Sequence, residues 1–148
     1  MYTIGQISKM FNIPVSTLRY YDNQGLFIHI QRESGIRQFS DTDIETLRVI
    51  ECLKKAGLEI KDIKKFMQWC KQGPSTYNQR KELLEEERKH VLKEIGHMNE
   101  TLNMLNFKCW YYNQAIKDGN EDKIKGMIPD KLPKEIKKAY LNAHKNRD

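Results

Sequence analysis

Cysteine is scarce in this chain. Its 148 residues hold three thiols, Cys52, Cys70 and Cys109. They are odd in number and far apart, so no disulfide framework is written into them. None has a second cysteine at ligand spacing, which argues against a thiolate metal site. The four histidines, His29, His90, His97 and His144, are scattered. His90 and His97, seven residues apart, read as surface or seam residues of one helix face. No glycine-rich phosphate loop is present. A nucleophile, a base and a group to orient the base are not found together, so the sequence reads as a protein that is not an enzyme, with no cofactor and no metal. No apolar run approaches the length that spans a bilayer, which argues against a membrane partner. The first helix begins almost at once with no signal peptide ahead of it, so a cytoplasmic location is expected.

What the chain does have is charge and helical periodicity. Charged residues make up 31% and hydrophobic ones 39%, with a net charge of +6. This balance suits a small core under a large solvated helical surface. A basic excess favours a polyanionic partner.

The stretch from Ile13 to Leu26 organises the rest. It reads as a short helix whose outer face carries Ser16, Thr17, Arg19 and Tyr20, each able to hydrogen-bond a phosphate or a base edge. Leu18 and Tyr21 form the inner face, with Leu26 just past the stop. Gly25 can take the left-handed conformation that closes the helix. Upstream, Ile4 to Phe11 is a second amphipathic segment, with Ile4, Ile7, Met10 and Phe11 on one face. Asn12 and Ile13 make the turn, and Pro14 fits the first helical turn, where its missing N–H is no loss. Two short helices around a tight turn form a helix-turn-helix.

Downstream, Phe27–Gln31 and Ile36–Phe39 are β-prone runs around a Ser34-Gly35 turn, a hairpin that would serve as a wing. Arg32 near its tip and Arg37 on its return strand are placed to meet phosphates. Ser40 with Asp43 caps a third helix. Its core face is Ile44, Leu47, Ile50 and Leu53, and Gly57 ends it. A fourth helix is expected from Ile60 to about Trp69, with Ile60, Ile63, Phe66 and Met67 inward.

Gln72-Gly73-Pro74-Ser75 is the clearest boundary. It divides the chain into a winged helix-turn-helix DNA-binding domain over 1–71, a linker over 72–75, a dimerisation helix over 76–107 and a C-terminal region over 108–148. Thr76 and Gln79 read as the capping box of the long helix, which would run about 48 Å at 1.5 Å per residue. Tyr77, Leu84, Val91, Met98 and Leu105 recur every seven residues, with Arg88, Ile95 and Leu102 between them. A helix this long and charged cannot bury that stripe on itself, so a partner helix is expected, making a coiled-coil homodimer. In the tail, Cys109, Trp110, Tyr111 and Tyr112 form an aromatic cluster. A last helix is expected from Lys134 to about Asn146, with Ile136 and Tyr140 on one face. A plain coiled-coil interaction protein would account for 76–107 but not for the Thr17–Tyr21 run.

Tyr2-Thr3-Ile4-Gly5-Gln6-Ile7-Ser8-Lys9, Ser16-Thr17-Leu18-Arg19-Tyr20-Tyr21-Asp22, Gly25-Leu26 and Ser34-Gly35-Ile36-Arg37-Gln38-Phe39-Ser40-Asp41 together resemble the MerR family of bacterial transcription regulators. The resemblance is strong over residues 1–70 and continues in architecture along the long helix. Ile36 stands where that family usually has Tyr, and no proline follows Gly25-Leu26. The resemblance implies a mainly α chain, with a winged helix-turn-helix, an antiparallel coiled-coil helix and a short C-terminal helical region. It implies a homodimer on a palindromic operator in double-stranded promoter DNA. The dimer would bend and untwist an overlong spacer, so that RNA polymerase, engaged indirectly through the promoter, can use both elements. Ser16 and Thr17 would contact bases or phosphates, and Arg19 would fork to a guanine or a phosphate. Tyr20 and Arg37 would hold the backbone. Lys61 would lie near the DNA end of a second wing built from the third and fourth helices. Metal-sensing branches place a thiol at the start of the dimerisation helix and a pair after it; here Ser75 and Thr76 occupy the start and Cys109 stands alone.

A single thiol at Cys52, the short C-terminal region and the Lys-Cys-Trp-Tyr-Tyr run resemble the aldehyde- and electrophile-responsive branch. That implies a stress response with Cys52 as the sensor. Arg48 and Lys55 can share its helix face, and nearby cations favour the reactive thiolate. As a plain residue, Cys52 reads first as a small buried hydrophobe, and only the resemblance brings the sensor reading level with it. Cys70, beside Trp69, reads as packing. Cys109, Trp110, Tyr111 and Tyr112 either line a small-molecule pocket or bury the end of a coiled coil. A regulator with no ligand also stands open.

Overall fold

A computed structural model describes residues 1–145. In chain order they form β1 (Tyr2–Thr3), α1 (Ile4–Phe11), α2 (Val15–Asn23), β2 (Gln31–Glu33), β3 (Ile36–Phe39), α3 (Asp41–Lys55) and α4 (Ile60–Gln72). A 3-10 turn (Pro74–Thr76), α5 (Tyr77–Asp118), α6 (Asp122–Met127) and α7 (Lys134–Ala143) follow. The chain divides into two compact units, Met1–Lys89 and His90 onward. Among the described residues no helix is long and apolar enough to cross a membrane.

In the first unit, local chemistry places nearly every boundary. Thr3 caps α1 through a reciprocal box: Gln6 N–H donates to Thr3 Oγ1 at 3.3 Å, and Thr3 N–H donates to Gln6 Oε1 at 2.8 Å. Asn12 ends the helix in the left-handed region at φ 53°, a conformation Asn tolerates better than most residues. Pro14 sits at the N-cap of α2 rather than inside it, and Gly25 follows the helix at φ +77°. Ser40 and Asp43 form the expected capping box of α3, with Ser40 N–H 2.8 Å from Asp43 Oδ2. α4 runs three residues beyond Trp69, to Gln72, where Gly73 breaks it.

The wing differs from a simple hairpin. Phe27 does not begin a strand; it is buried in the core beside Leu26. Pairing starts at Gln31, and Ser34-Gly35 turns with both φ values positive, 49° and 81°. That turn matches the twist of a tight antiparallel ribbon. Tyr2 and Thr3 add a third strand against Phe39 and Gln38, giving the order β1-β3-β2. Arg32 therefore lies within a strand, directly opposite Arg37, rather than at the tip.

Ile7, Leu18, Tyr21, Leu26, Phe39, Leu47, Ile50 and Ile63 are almost wholly buried in one core. Met10, expected on the inner face of α1, is 53% exposed. At about 100° per residue its position lies at the edge of the arc set by Ile4, Ile7 and Phe11.

Two expectations about the long helix are corrected. Thr76 is not its capping residue. The Thr76 hydroxyl is buried in the 3-10 turn, 2.6 Å from Trp69 O and 2.8 Å from Gly73 O. The helix does not end at Phe107 but continues to Asp118, 42 residues in all, and Gly119 stops it at φ +78°. No proline or glycine lies between Gly96 and Gly119, so nothing local breaks the helix at the aromatic run.

In the second unit, α6 and α7 fold against the last turns of α5. Phe107, Tyr111, Ile124 and Leu132 are buried together, with Trp110, Ile136 and Tyr140 packed against them. α6 was not legible as a helix in the sequence; six residues bounded by glycine and proline carry little periodicity. α7 begins at Lys134 as expected. The end expected for it, near Asn146, lies outside the described residues.

Candidate nucleic-acid interface

α2 is held by its inner face. Leu18 and Tyr21 are buried, while Ser16, Arg19 and Tyr20 are exposed and Thr17 is half-buried. Ser16, Arg19 and Tyr20 thus share its outward side, whereas Thr17 lies beside Tyr21 at the border of the buried face. The Tyr21 hydroxyl donates to Glu51 Oε1 at 3.0 Å and accepts from Lys54 Nζ at 2.9 Å. Burial pushes the Tyr21 hydroxyl above its ordinary value, against the opposing pull of the Lys54 ammonium. The hydrogen bond to Tyr21 in turn lifts Lys54. Tyr21 therefore stays a neutral donor at physiological pH and fastens α2 to α3.

The wing is fastened to the same helix. Arg37 Nε donates to Asp22 Oδ2 at 2.7 Å, and Arg32 Nη2 lies 3.4 Å from the same oxygen. Arg37 Nη2 also lies 3.4 Å from Asn23 Oδ1. Two arginines face each other across a two-stranded ribbon, an arrangement that repels unless a counter-charge sits between them. Asp22 supplies that charge. Arg37 is largely enclosed, 16% exposed at its side chain, whereas Arg32 is 49% exposed. Asp22 was missed as a functional residue; the signal was an acidic residue on an otherwise basic helix.

Lys61 is exposed in the first turn of α4, with Nζ 3.4 Å from Glu59 Oε2. Cys52 is exposed on α3. The reading of it as a buried core residue is not what the chain shows. Arg48, four residues before it, pairs with Glu45 at 3.4 Å. Cys70 is half-buried and packs against the core, as expected.

The four residues of the aromatic cluster are not brought onto one wall. Trp110 and Tyr111 turn toward α6 and α7, and Phe107 stacks edge-on against Tyr140 at 5.0 Å between centroids. A hydrogen bond to the Glu121 carboxylate pushes the Tyr111 hydroxyl up to about 12. Cys109 and Tyr112 stay exposed. They continue the apolar stripe of α5, along which Leu84, Ile95, Met98, Leu102, Leu105 and Ile116 are also exposed.

A model of the MerR helix-turn-helix family of regulatory proteins matches residues 2–69. An uncharacterised helix-turn-helix-type transcriptional regulator of Haemophilus influenzae is 35% identical over 115 residues, 77% of this chain and 85% of its own length. The transcriptional regulator AdhR of Bacillus subtilis is 34% identical over 91 residues, 61% of this chain and 65% of its own. The crystal structure of HiNmlR, a MerR family regulator lacking the sensor domain, bound to promoter DNA, superposes with a TM-score of 0.70 at 32% identity. That match covers 82% of this chain and 98% of the other. With these likenesses laid over a helix-turn-helix, a wing and a long helix, the chain belongs to the MerR family, whose members are DNA-binding regulators of transcription.

Proposed function

We propose that the chain acts as a homodimer on a palindromic promoter operator, laying one α2 in each of two major grooves. The outer face of α2 carries this reading. Ser16, Arg19 and Tyr20 are exposed there, and Arg19 has no hydrogen-bond or ion-pair partner among the described residues. An unpaired guanidinium on a helix of groove-fitting size is built for a guanine edge or a phosphate. Ser16 and Thr17 address bases or phosphates, and Tyr20 holds the backbone. Arg37, braced by Asp22, still has N–H groups for a phosphate. Lys61 meets the backbone from the second wing. The exposed stripe of α5 seats the partner's helix in an antiparallel pair. The dimer then distorts the spacer between half-sites, and RNA polymerase responds to the changed promoter.

The effector reading rests on Cys52. Its exposure lets a soluble electrophile reach it. An aldehyde adds to the thiol with a new S–C bond, the thiol proton passing to the carbonyl oxygen to give a hemithioacetal. The aromatic cluster supports burial rather than a ligand pocket, because Trp110 and Tyr111 are spent on the core of their own unit.

In-vitro transcription and operator binding with wild type, Arg19→Ala and Cys52→Ser, each with and without formaldehyde, test both parts. Arg19→Ala is expected to lose about 1–3 kcal/mol of operator binding, roughly tenfold or more in affinity. Cys52→Ser is expected to bind normally and ignore the aldehyde. Undiminished binding by Arg19→Ala would sink the docking of α2. A full aldehyde response in Cys52→Ser would remove the thiol and leave a regulator controlled otherwise.

A further inference from the structure

We infer that Arg80 is a positioning residue that sets the separation of the two reading heads, and so selects the half-site spacing of the operator. The inference rests on the dimer reading above.

The corner between α4 and α5 passes through Gly73 at φ +91°. Nothing lies within 4 Å of where a Cβ would stand at that position. Side-chain packing at Gly73 therefore does not hold the angle of the corner. The two carbonyls at the corner already have partners: Trp69 O accepts from the Gly73 N–H, Gly73 O accepts from the Thr76 N–H, and the Thr76 hydroxyl lies against both. Arg80 reaches back from the first turn of α5 and adds charge-assisted bonds to both. Its Nη2 donates to Gly73 O at 2.7 Å and to Trp69 O at 3.1 Å, and its Nε donates to Thr76 Oγ1 at 2.9 Å. The Tyr77 ring closes the far side, 4.8 Å from the guanidinium carbon. No carboxylate pairs with Arg80 among the described residues. Its positive charge sits at the negative end of α4, where the helix dipole favours it.

The fork thus ties three points of the corner, two on α4 and its stop and one on the 3-10 turn, to the helix that carries the partner. Leu83, half-buried against the head's core, is a further restraint on that helix. Leverage makes the corner matter for spacing. A lever of about 25 Å of helix tilted by about 8° moves its end by about 3.4 Å, one base-pair step. A lysine at position 80 would keep the charge but could not hold three acceptors in one plane.

The test measures operator binding on duplexes that keep the wild type's footprinted half-sites and vary the spacer one base pair at a time. A duplex with a single half-site reports whether the head itself is intact. Wild type is expected to favour its own spacer over the neighbouring ones by about tenfold, and Arg80→Lys by about threefold or less, with single half-site affinity unchanged. A helix cap that only stabilised the fold would lower Tm and leave that ratio alone, so an unaltered ratio in Arg80→Lys overturns the inference. If Arg80→Lys also loses the single half-site, Thr76→Val, which removes the acceptor of Nε at nearly constant volume, carries the same comparison. A wild type that sediments as a monomer or shows no spacing preference would overturn the dimer reading and this inference with it.

Discussion

Asp22 puts a negative charge on a helix whose outer face is suited to a polyanion. Its cost in repulsion is offset because Arg37 and Arg32 both lean on it. If the wing meets DNA as proposed, basic side chains already held by Asp22 would lose less side-chain entropy on binding. Tyr111 shows the same economy in the other unit. Its hydroxyl is raised to about 12 by the Glu121 carboxylate, against an ordinary value near 10. A raised folded-state value means that the protonated hydroxyl's stabilisation is complete below about pH 10 and is lost as pH rises through about 12. Alkaline titration followed at the tyrosinate absorbance should therefore show a late-titrating tyrosine that Glu121→Gln returns toward the ordinary range, while Tyr21, also raised, is unaffected by that change. A titration curve unchanged between wild type and Glu121→Gln would mean that burial, not the carboxylate, causes the Tyr111 shift.

At the scale of elements, α5 is the helix with two different faces. In its last turns, Phe107 and Tyr111 point into the core made with α6 and α7. The other face leaves Met98, 69% exposed, Leu102, 53%, and Ile116, 79%, to solvent in the single chain. Met98, Leu102, Leu105, Cys109, Tyr112 and Ile116 follow one another at steps of four and three, so they lie in one line along the helix. This stripe runs past Leu105 toward the end of the helix and includes Cys109; in the proposed dimer, Cys109 would belong to the seam. Leu102→Glu should convert the proposed dimer to monomer in sedimentation at micromolar concentration. It removes about 1.5–3 kcal/mol of apolar burial per copy and adds a charge to the seam. A variant that stays dimeric would place the partner elsewhere.

For the whole molecule, the net charge of +6 matters through where the cations stand. Arg19, Arg37 and Lys61 from each copy would give a dimer about six phosphate contacts, enough to lose about a thousandfold in affinity between 50 and 200 mM salt. A titration of operator binding against salt checks this. A nearly flat dependence would mean that binding rests on uncharged contacts, against the assignment of these three residues.

Much of this protein was decided within a few residues at a time. The Ser40–Asp43 cap, the Gly25, Gly57 and Gly119 stops, the inner faces of α2 and α3 and the Ser34-Gly35 turn each depend on neighbours along the chain, so the sequence alone determined them. The full length of α5 was equally local; its absence of breakers to Gly119 was there to be read. The outward set Ser16, Arg19 and Tyr20 was legible for the same reason, because one buried face of a short helix defines the other; Thr17, expected among them, stands at the border of the buried face. Only the tertiary structure decided which distant partners those elements would find. Arg37 meets Asp22 across 15 residues, and Tyr21 meets Glu51 across 30 and Lys54 across 33. Thr76, read locally as a cap, became an acceptor for Arg80 once α4 ended against it. Such pairings depend on where the chain returns in space. Periodicity says which way a side chain points, and only packing says what stands in front of it.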